Sequence, residues 1–317
     1  MTIRNVQDAA NYQANLNFIM HNSEHIEAEV YAREYDDIRY VDLIPLDYSA
    51  PEYTDVVSYF SMDGAGTAEY LNLSASDFPT VDMFMAKQST QVIGSGIGYT
   101  VTMEEAARER QNGTISTIVE KAGLARRAAE ELLDRDYLFG SPTVTNINGL
   151  FDYPGITAIS APNGASASPL AENKTFKEIA ADLNGLLAGT SVATRGRGLA
   201  NTMVFALDLL NTLTTLILED TNETFLAWYR RNNFYTLQTG NELSIMSDPD
   251  LDTAGGGGTR RTIAYRRAED VLKGHIPMSY RFLPAVQMFT STVVPGAQRN
   301  GGLDVKKPAE MRYLDGL

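Results

Sequence analysis

Four short stretches of this sequence have residue types and spacings that could do chemistry. Gly94-Ser-Gly96-Ile-Gly98 stands after a strand-like run and before a helix, where a dinucleotide-binding turn would lie. Its sixth position is Tyr99 rather than glycine, and Glu104 and Glu105 fill the first helical turn that an anionic phosphate would have to face. A pivot from strand into helix accounts for these glycines without a ligand. Asp248-Pro-Asp250-Leu-Asp252 has the spacing that opens a calcium loop, but Thr253 holds the place of the required glycine and Thr259 that of the closing glutamate. A solvated acidic turn fits it better. Arg195-Gly-Arg197-Gly198 can cradle an anion through guanidinium and backbone N–H groups, or form salt bridges across an interface. His275, between Gly274 and Ile276-Pro277, stands in a strand-like stretch and reads as a packed structural residue. The sequence has no nucleophile elbow, P-loop or His-Glu-x-x-His. Its 40 carboxylates make chance pairs unavoidable, so none is singled out for glycosidase-type acid–base work. No catalytic residue, cofactor site or metal site is expected.

The elements that would position these residues are clearer. Thr102-Met-Glu-Glu105 is a capping box, and apolar residues recur at Ile115, Ile118, Val119, Ala122, Ala125, Ala129, Leu132 and Leu133. This spacing predicts a long helix over 103–137, with Asn112-Gly113 as the place where it could kink. Thr175-Phe-Lys-Glu178 opens a second helix using Phe176, Ile179, Ala180, Leu183, Leu186 and Leu187, and a third is expected within 208–232. Tyr53–Phe60 and Val81–Ile93 predict a long hairpin, with Met62-Asp-Gly-Ala-Gly66 and Ser74–Pro79 as turn material. It has no core of its own, so a partner surface is expected to cover it. After Thr259 the chain is strand-rich, with turns expected at Lys273-Gly274, Pro295-Gly296 and Asn300-Gly-Gly302. In the first 50 residues Ile26, Val30 and Ile38, with Tyr31 and Tyr35 alongside, form the stripe of a short packing helix.

Composition narrows the class. The 317 residues are 44% hydrophobic and contain no cysteine, which removes disulfides, thiol nucleophiles and Cys-based zinc sites. No apolar run approaches the roughly 18 residues of a membrane span. Met1-Thr-Ile-Arg-Asn5 lacks the apolar core of a signal peptide, so the chain is expected to stay in the compartment that makes it. The net charge of −14 argues against sequence-independent grip on phosphate backbones. That charge is uneven: residues 1–101 hold 15 acids against four bases, whereas residues 254–314 hold ten bases against four acids. Complementary ends of one chain favour contact between neighbouring copies. The excess of 19 Arg over seven Lys suits such interfaces.

The order of acidic arm, two-stranded loop, capped helix, mixed middle and basic strand-rich end is similar to that of the Hong Kong 97-type major capsid proteins of tailed phages and prophages. His275-Ile-Pro-Met-Ser-Tyr-Arg-Phe-Leu-Pro284, Val294-Pro-Gly296, Gly301-Gly302, Arg312-Tyr-Leu-Asp-Gly316 and Gly149-Leu-Phe-Asp-Tyr-Pro-Gly155 resemble that family's motifs. The resemblance implies an α+β fold: an N-terminal arm (1–48), an extended hairpin loop (49–100), a peripheral domain with a spine helix (101–160 and 276–304) and an axial α/β domain (161–275 and 305–317). It implies pentamers and hexamers that self-assemble into an icosahedral head enclosing double-stranded DNA, with the chain made in the host cytoplasm and resident in the virion. The DNA would be confined rather than read, no membrane would be involved, and separate scaffolding, portal and decoration proteins are further partners it admits. Candidate intersubunit contacts are Tyr59, Phe60, Asp63 and Glu69 on the loop, with Arg195, Arg197, Arg260, Arg261, Arg266 and Arg267 as basic counterparts. Some such capsids cross-link a loop-tip Lys to a neighbour's Asn. Residues 61–80 here contain no Lys and Lys87 is the only one in the hairpin, so a non-covalent shell is expected. Two alternatives stay open: an encapsulin-like nanocompartment shell around protein cargo, and a soluble enzyme with an unrecognised carboxylate site in a concave pocket.

Overall fold

The computed structural model describes residues 37–68, 70, 80–112, 117–144, 147–218 and 222–317. The chain divides into two units, residues 1–37 with 104–117 and residues 38–103 with 118–317. The arm stripe at Ile26 and Val30, with Tyr31 and Tyr35, lies outside the described residues. In chain order, helix α1 (Tyr40–Leu43) and strand β1 (Leu46–Asp47) lead to the hairpin of β2 (Val56–Ala65) and β3 (Asp82–Gln91). Strands β4 (Ile93–Ser95) and β5 (Tyr99–Thr102) follow, then helices α2 (Met103–Asn112) and α3 (Thr117–Leu138). The helix expected over 103–137 is thus described as two segments, α2 starting directly after Thr102 and ending at Asn112.

A five-stranded sheet carries the largest core. It is built from β6 (Thr157–Ser160), β7 (Thr202–Ala206), β8 (Ser244–Asp248), β9 (Arg261–Tyr265) and β16 (Met311–Asp315), in the order β6-β16-β9-β7-β8. Strands β7 and β9 are buried at every position, so Met203-Val-Phe-Ala206 reads as a continuous apolar run rather than an alternating one. Helix α4 (Phe176–Ala193) lays Ile179, Leu183, Leu186 and Leu187 on this core. The expected capping box starts it: the Glu178 carboxylate accepts the Thr175 amide at 2.8 Å and its hydroxyl at 2.9 Å. The single helix expected within 208–232 is two, α5 (Leu207–Thr215) and α6 (Phe225–Asn232). Leu216 turns extended after α5, and the Thr224 hydroxyl accepts the Ala227 amide to begin α6.

The remaining strands form three small sheets around α3. Strands β10 (Leu272–His275) and β15 (Leu303–Val305) pair with β1, β11 (Met278–Phe282) and β14 (Gly296–Asn300) with β4, and β12 (Val286–Met288) and β13 (Ser291–Val294) with β5. Lys273-Gly274, expected as a turn, lies inside β10. Its glycine is required because a Cβ there would stand 2.8 Å from the Tyr137 ring and 3.0 Å from Leu46. Met62-Asp-Gly-Ala65, also expected as a turn, continues β2. The ladder runs from Val56↔Gln91 to Ala65↔Asp82, and a two-stranded ribbon open on both sides tolerates Asp and Gly.

Candidate intersubunit surfaces

Side chains alternate between the faces of the β2–β3 ribbon, and opposite partners share a face. The register puts Val56, Phe60 and Met62 on one face with Met83, Met85 and Lys87. Phe60, Met62, Met83 and Met85 are 60%, 67%, 65% and 58% exposed, so this apolar face is open to solvent. The other face carries Tyr59, half-buried at its root, where the Lys306 ammonium lies 5.5 Å from the ring centroid. Burial and the neighbouring Asp304 carboxylate push the Tyr59 phenol up. Tyr59 therefore anchors the ribbon within its own subunit, whereas Phe60 points to the open face. Asp63 lies in β2 opposite Phe84, and Glu69 lies outside the described residues.

The ribbon's root is fixed by charge. Glu52 accepts a two-pronged contact from Arg281 at 3.0 and 2.8 Å, Asp55 pairs with Arg299 at 2.8 Å, and Asp47 pairs with Lys273 at 3.1 Å. Each joins the acidic first third to the basic last third of the same chain. The Ser49 hydroxyl and amide, with Lys273, hold Asp47 well below the usual carboxylate range against the opposing effect of burial. His275 is buried with Nδ1 3.6 Å from Asp47 and Nε2 3.9 Å from Asp304, a packed histidine between two carboxylates.

The six arginines fall into two groups. Arg261 is buried in β9: its guanidinium forks onto Asp315 at 2.7 and 2.8 Å, donates to the Phe151 carbonyl at 2.6 Å, and lies 4.5 Å from the Tyr313 ring centroid. Arg260 pairs with Glu172 at 2.5 Å, and Arg266 pairs with Glu310 and, at 2.6 Å, with Asp270. These three spend donors inside the subunit. Arg195, Arg197 and Arg267 are exposed. Arg195 takes a left-handed φ of 54° in the turn after α4, Arg197 donates only to the nearby Thr194 carbonyl, and Arg267 reaches the Val41 carbonyl at 3.2 Å. The first two stand together in one turn; Arg267 lies on the segment after β9.

The other motifs resolve as structure. A Cβ on Gly98 would stand 2.5 Å from the Val294 carbonyl oxygen, and one on Gly296 would stand 2.5 Å from that of Ile97. Gly98 and Gly296 thus let two backbone segments approach closely, whereas a Cβ on Gly94 would meet nothing within 4 Å; Pro295-Gly296, expected as a turn, leads straight into β14. Asp248 is buried and caps the short turn Pro249–Asp252 by accepting the Asp250 amide at 2.9 Å, while Asp252 accepts the Asp208 amide. Burial pushes Asp248 up despite that bond and Arg39. Among the described residues no three His, Asp or Glu side chains stand close enough to hold a metal ion, and no helix is long and apolar enough to cross a membrane. Two open clefts flank the end of α3, of about 330 and 570 Å³; Glu131 is the sole carboxylate lining the first and Asp152 the sole one lining the second.

The major capsid protein family model matches residues 66–317. The chain belongs to that family. No curated protein matches it in sequence. In structure it is similar to the capsid of Myoviridae phage XM1 at 18% identity and a TM-score of 0.77, with 94% of this chain and 98% of that one covered. It is also similar to the capsid of a native GTA particle (8% identity, TM-score 0.63, 92% and 94% covered). A virus-like particle from Pyrococcus furiosus shares the fold at 14% identity and a TM-score of 0.51, over 86% and 91%. The fold is the Hong Kong 97-like one and the role of this capsid subunit is structural: it forms shells with copies of itself and belongs to the virion.

Proposed function

We propose that this capsid subunit assembles as pentamers and hexamers into an icosahedral phage head that confines double-stranded DNA, and that it has no enzymatic activity. The observation that carries the reading is the β2–β3 ribbon: ten residues per strand, paired only with each other, with an apolar face open to solvent. A monomer gains nothing from such a ribbon, while a ring of copies covers it. In this reading residues 49–100 form the extended loop and residues 1–48 the arm. Residues 101–160 with 276–304 form the peripheral domain, and residues 161–275 with 305–317 the axial domain around the five-stranded sheet. A −14 subunit suits a wall that encloses DNA without gripping it. Separate scaffolding, portal and decoration proteins complete the assembly. Of the arginines, the exposed Arg195, Arg197 and Arg267 are the ones we assign to neighbours.

Negative-stain electron microscopy with size-exclusion light scattering tests this. Closed shells, tubes or isolated rings are expected; a monodisperse dimer or tetramer across salt concentrations would remove the reading. The absorbance ratio at 260 and 280 nm of particles made in cells separates a DNA-filled head from a shell around protein cargo.

A further inference from the structure

We propose that His275 is a proton-operated latch on the β2–β3 ribbon: its imidazolium joins Asp47 to Asp304 and so fixes Tyr59, and loss of the proton loosens the ribbon's root. The latch lies within one subunit and does not depend on the shell reading above.

The geometry asks for a charged ring. His275 closes β10 and is buried, with Nδ1 3.6 Å from Asp47 and Nε2 3.9 Å from Asp304. A neutral imidazole has one N–H and one lone pair. With a carboxylate at each nitrogen, either neutral tautomer aims its lone pair at a negative charge, and only the imidazolium faces both favourably. The backbone around the ring is fixed. The His275 carbonyl accepts the Tyr137 hydroxyl at 2.9 Å and the Gly301 amide at 2.8 Å, and a Cβ on Gly301 would stand 2.9 Å from the His275 Cβ. Histidine is also the residue type that switches charge under mild conditions.

The neighbouring charges come from every element packed on the ring. Asp47 of β1 is shared with Lys273 of β10 at 3.1 Å, and Lys273 also reaches Glu269 at 3.4 Å. Asp304 of β15 lies beside the Tyr59 phenol of β2, and Lys306 stands 5.5 Å from that ring's centroid. On α3, Asp136 accepts the Asn300 side-chain amide at 3.3 Å. Burial keeps the Tyr59, Tyr137 and Tyr153 phenols neutral. Asp47, Glu269 and Asp304 therefore face two ammonium groups, and the imidazolium is the third cation that balances them. Both carboxylates on the ring lead to the ribbon. Asp47 pairs with His275 in the β1–β10 ladder just ahead of it, and Asp304 meets Tyr59, which anchors β2. Without the proton these carboxylates face an uncharged ring, and Tyr59 loses a fixed neighbour. The ribbon's own ladder is untouched; its root is what loosens.

Two readouts on free subunits test this, one for the ring and one for the ribbon. With His21→Gln and His25→Gln, His275 is the only histidine, so its nitrogen-15 NMR signals need no assignment. The chain has no natural cysteine, so spin labels on Met85→Cys in the ribbon and Val192→Cys on α4 report one distance by double electron–electron resonance. At about pH 5.5 both ring nitrogens are expected to carry protons and the distance distribution to be narrow. As the ring loses one proton, that distribution is expected to widen at least about twofold along the same titration curve. His275→Gln and Asp304→Asn are each expected to abolish the pH dependence of the width; if His275→Gln does not fold, Asp304→Asn decides. A ring that is neutral at about pH 5.5 overturns the proposal. So does a width that stays constant while the ring titrates, or one that follows pH equally in Asp304→Asn. None of these outcomes touches the shell reading, because no particle is involved.

Discussion

Arg260 and Arg261 are adjacent, both paired to carboxylates, and should differ sharply on removal. Arg261→Ala takes away a buried guanidinium that satisfies both oxygens of Asp315 and the Phe151 carbonyl. The Gly256 amide, at 3.1 Å, is the donor left to Asp315. Stranding a buried charge costs about 3–5 kcal/mol, and at about 3 °C per kcal/mol for a chain of this size the midpoint should fall by about 10 °C or more. Arg260→Ala breaks a pair whose Glu172 side chain is 40% exposed, so it should cost under about 1 kcal/mol. Thermal and urea unfolding of unassembled subunits, followed by circular dichroism, read both. Equal shifts in the two variants, or less than about 1 kcal/mol for Arg261→Ala, would refute the claim that burial decides the difference.

The same pair fixes a pH dependence. Burial raises Asp315, but the Arg261 fork and the Gly256 amide outweigh it and leave the group below its ordinary value. A depressed carboxylate contributes stability that is present above the unfolded value near 4 and lost as pH falls through the folded one. The penalty of Arg261→Ala should therefore be largest at neutral pH and shrink on acidification. It falls first as the variant's Asp315, left to the raising effect of burial, takes up its proton, and then as the wild-type group does. A penalty that grows on acidification would reverse the assigned sign.

Three further outcomes can be checked. Arg267→Glu should leave subunit stability within about 0.5 kcal/mol, as for exposed positions generally, while weakening particle formation seen by light scattering. Arg266→Glu should instead unfold the subunit, because it brings a third carboxylate beside Glu310 and Asp270, so it cannot report on assembly. Asp136→Asn should raise stability at pH 7 by about 1 kcal/mol in urea titrations: burial pushes Asp136 up, and its Oδ1 has no hydrogen-bond partner. Shells should fall apart to single subunit bands in boiling detergent, because the described ribbon offers only Lys87 for a covalent link.

What could be read from sequence follows from how local each signal is. The Thr175–Glu178 box spans one helical turn, and its bonds form within that turn whatever the rest of the chain does. The buried strand at Met203–Ala206 and the ribbon's alternating apolar positions are local in the same sense. Ends of elements were less legible, because tertiary neighbours decide them: Gly274 reads as a turn until Tyr137 and Leu46 are seen to require its missing side chain. Val119 satisfies the helical period yet faces solvent, since a period marks a stripe without saying how far along it the core extends.

Charge was the least legible signal. A sum over 1–101 and another over 254–314 show complementary ends, but a sum carries no distance. Asp47, Glu52 and Asp55 meet Lys273, Arg281 and Arg299 within one subunit, which accounts for part of the asymmetry as closure of the chain on itself. An ion pair within a chain and one between copies look identical in composition. They differ only in whether the partner side chain is already occupied, and that decides which residues can serve a neighbour. By that criterion the arginines we propose for a neighbour are the exposed Arg195, Arg197 and Arg267, not the buried arginine with the strongest pairing.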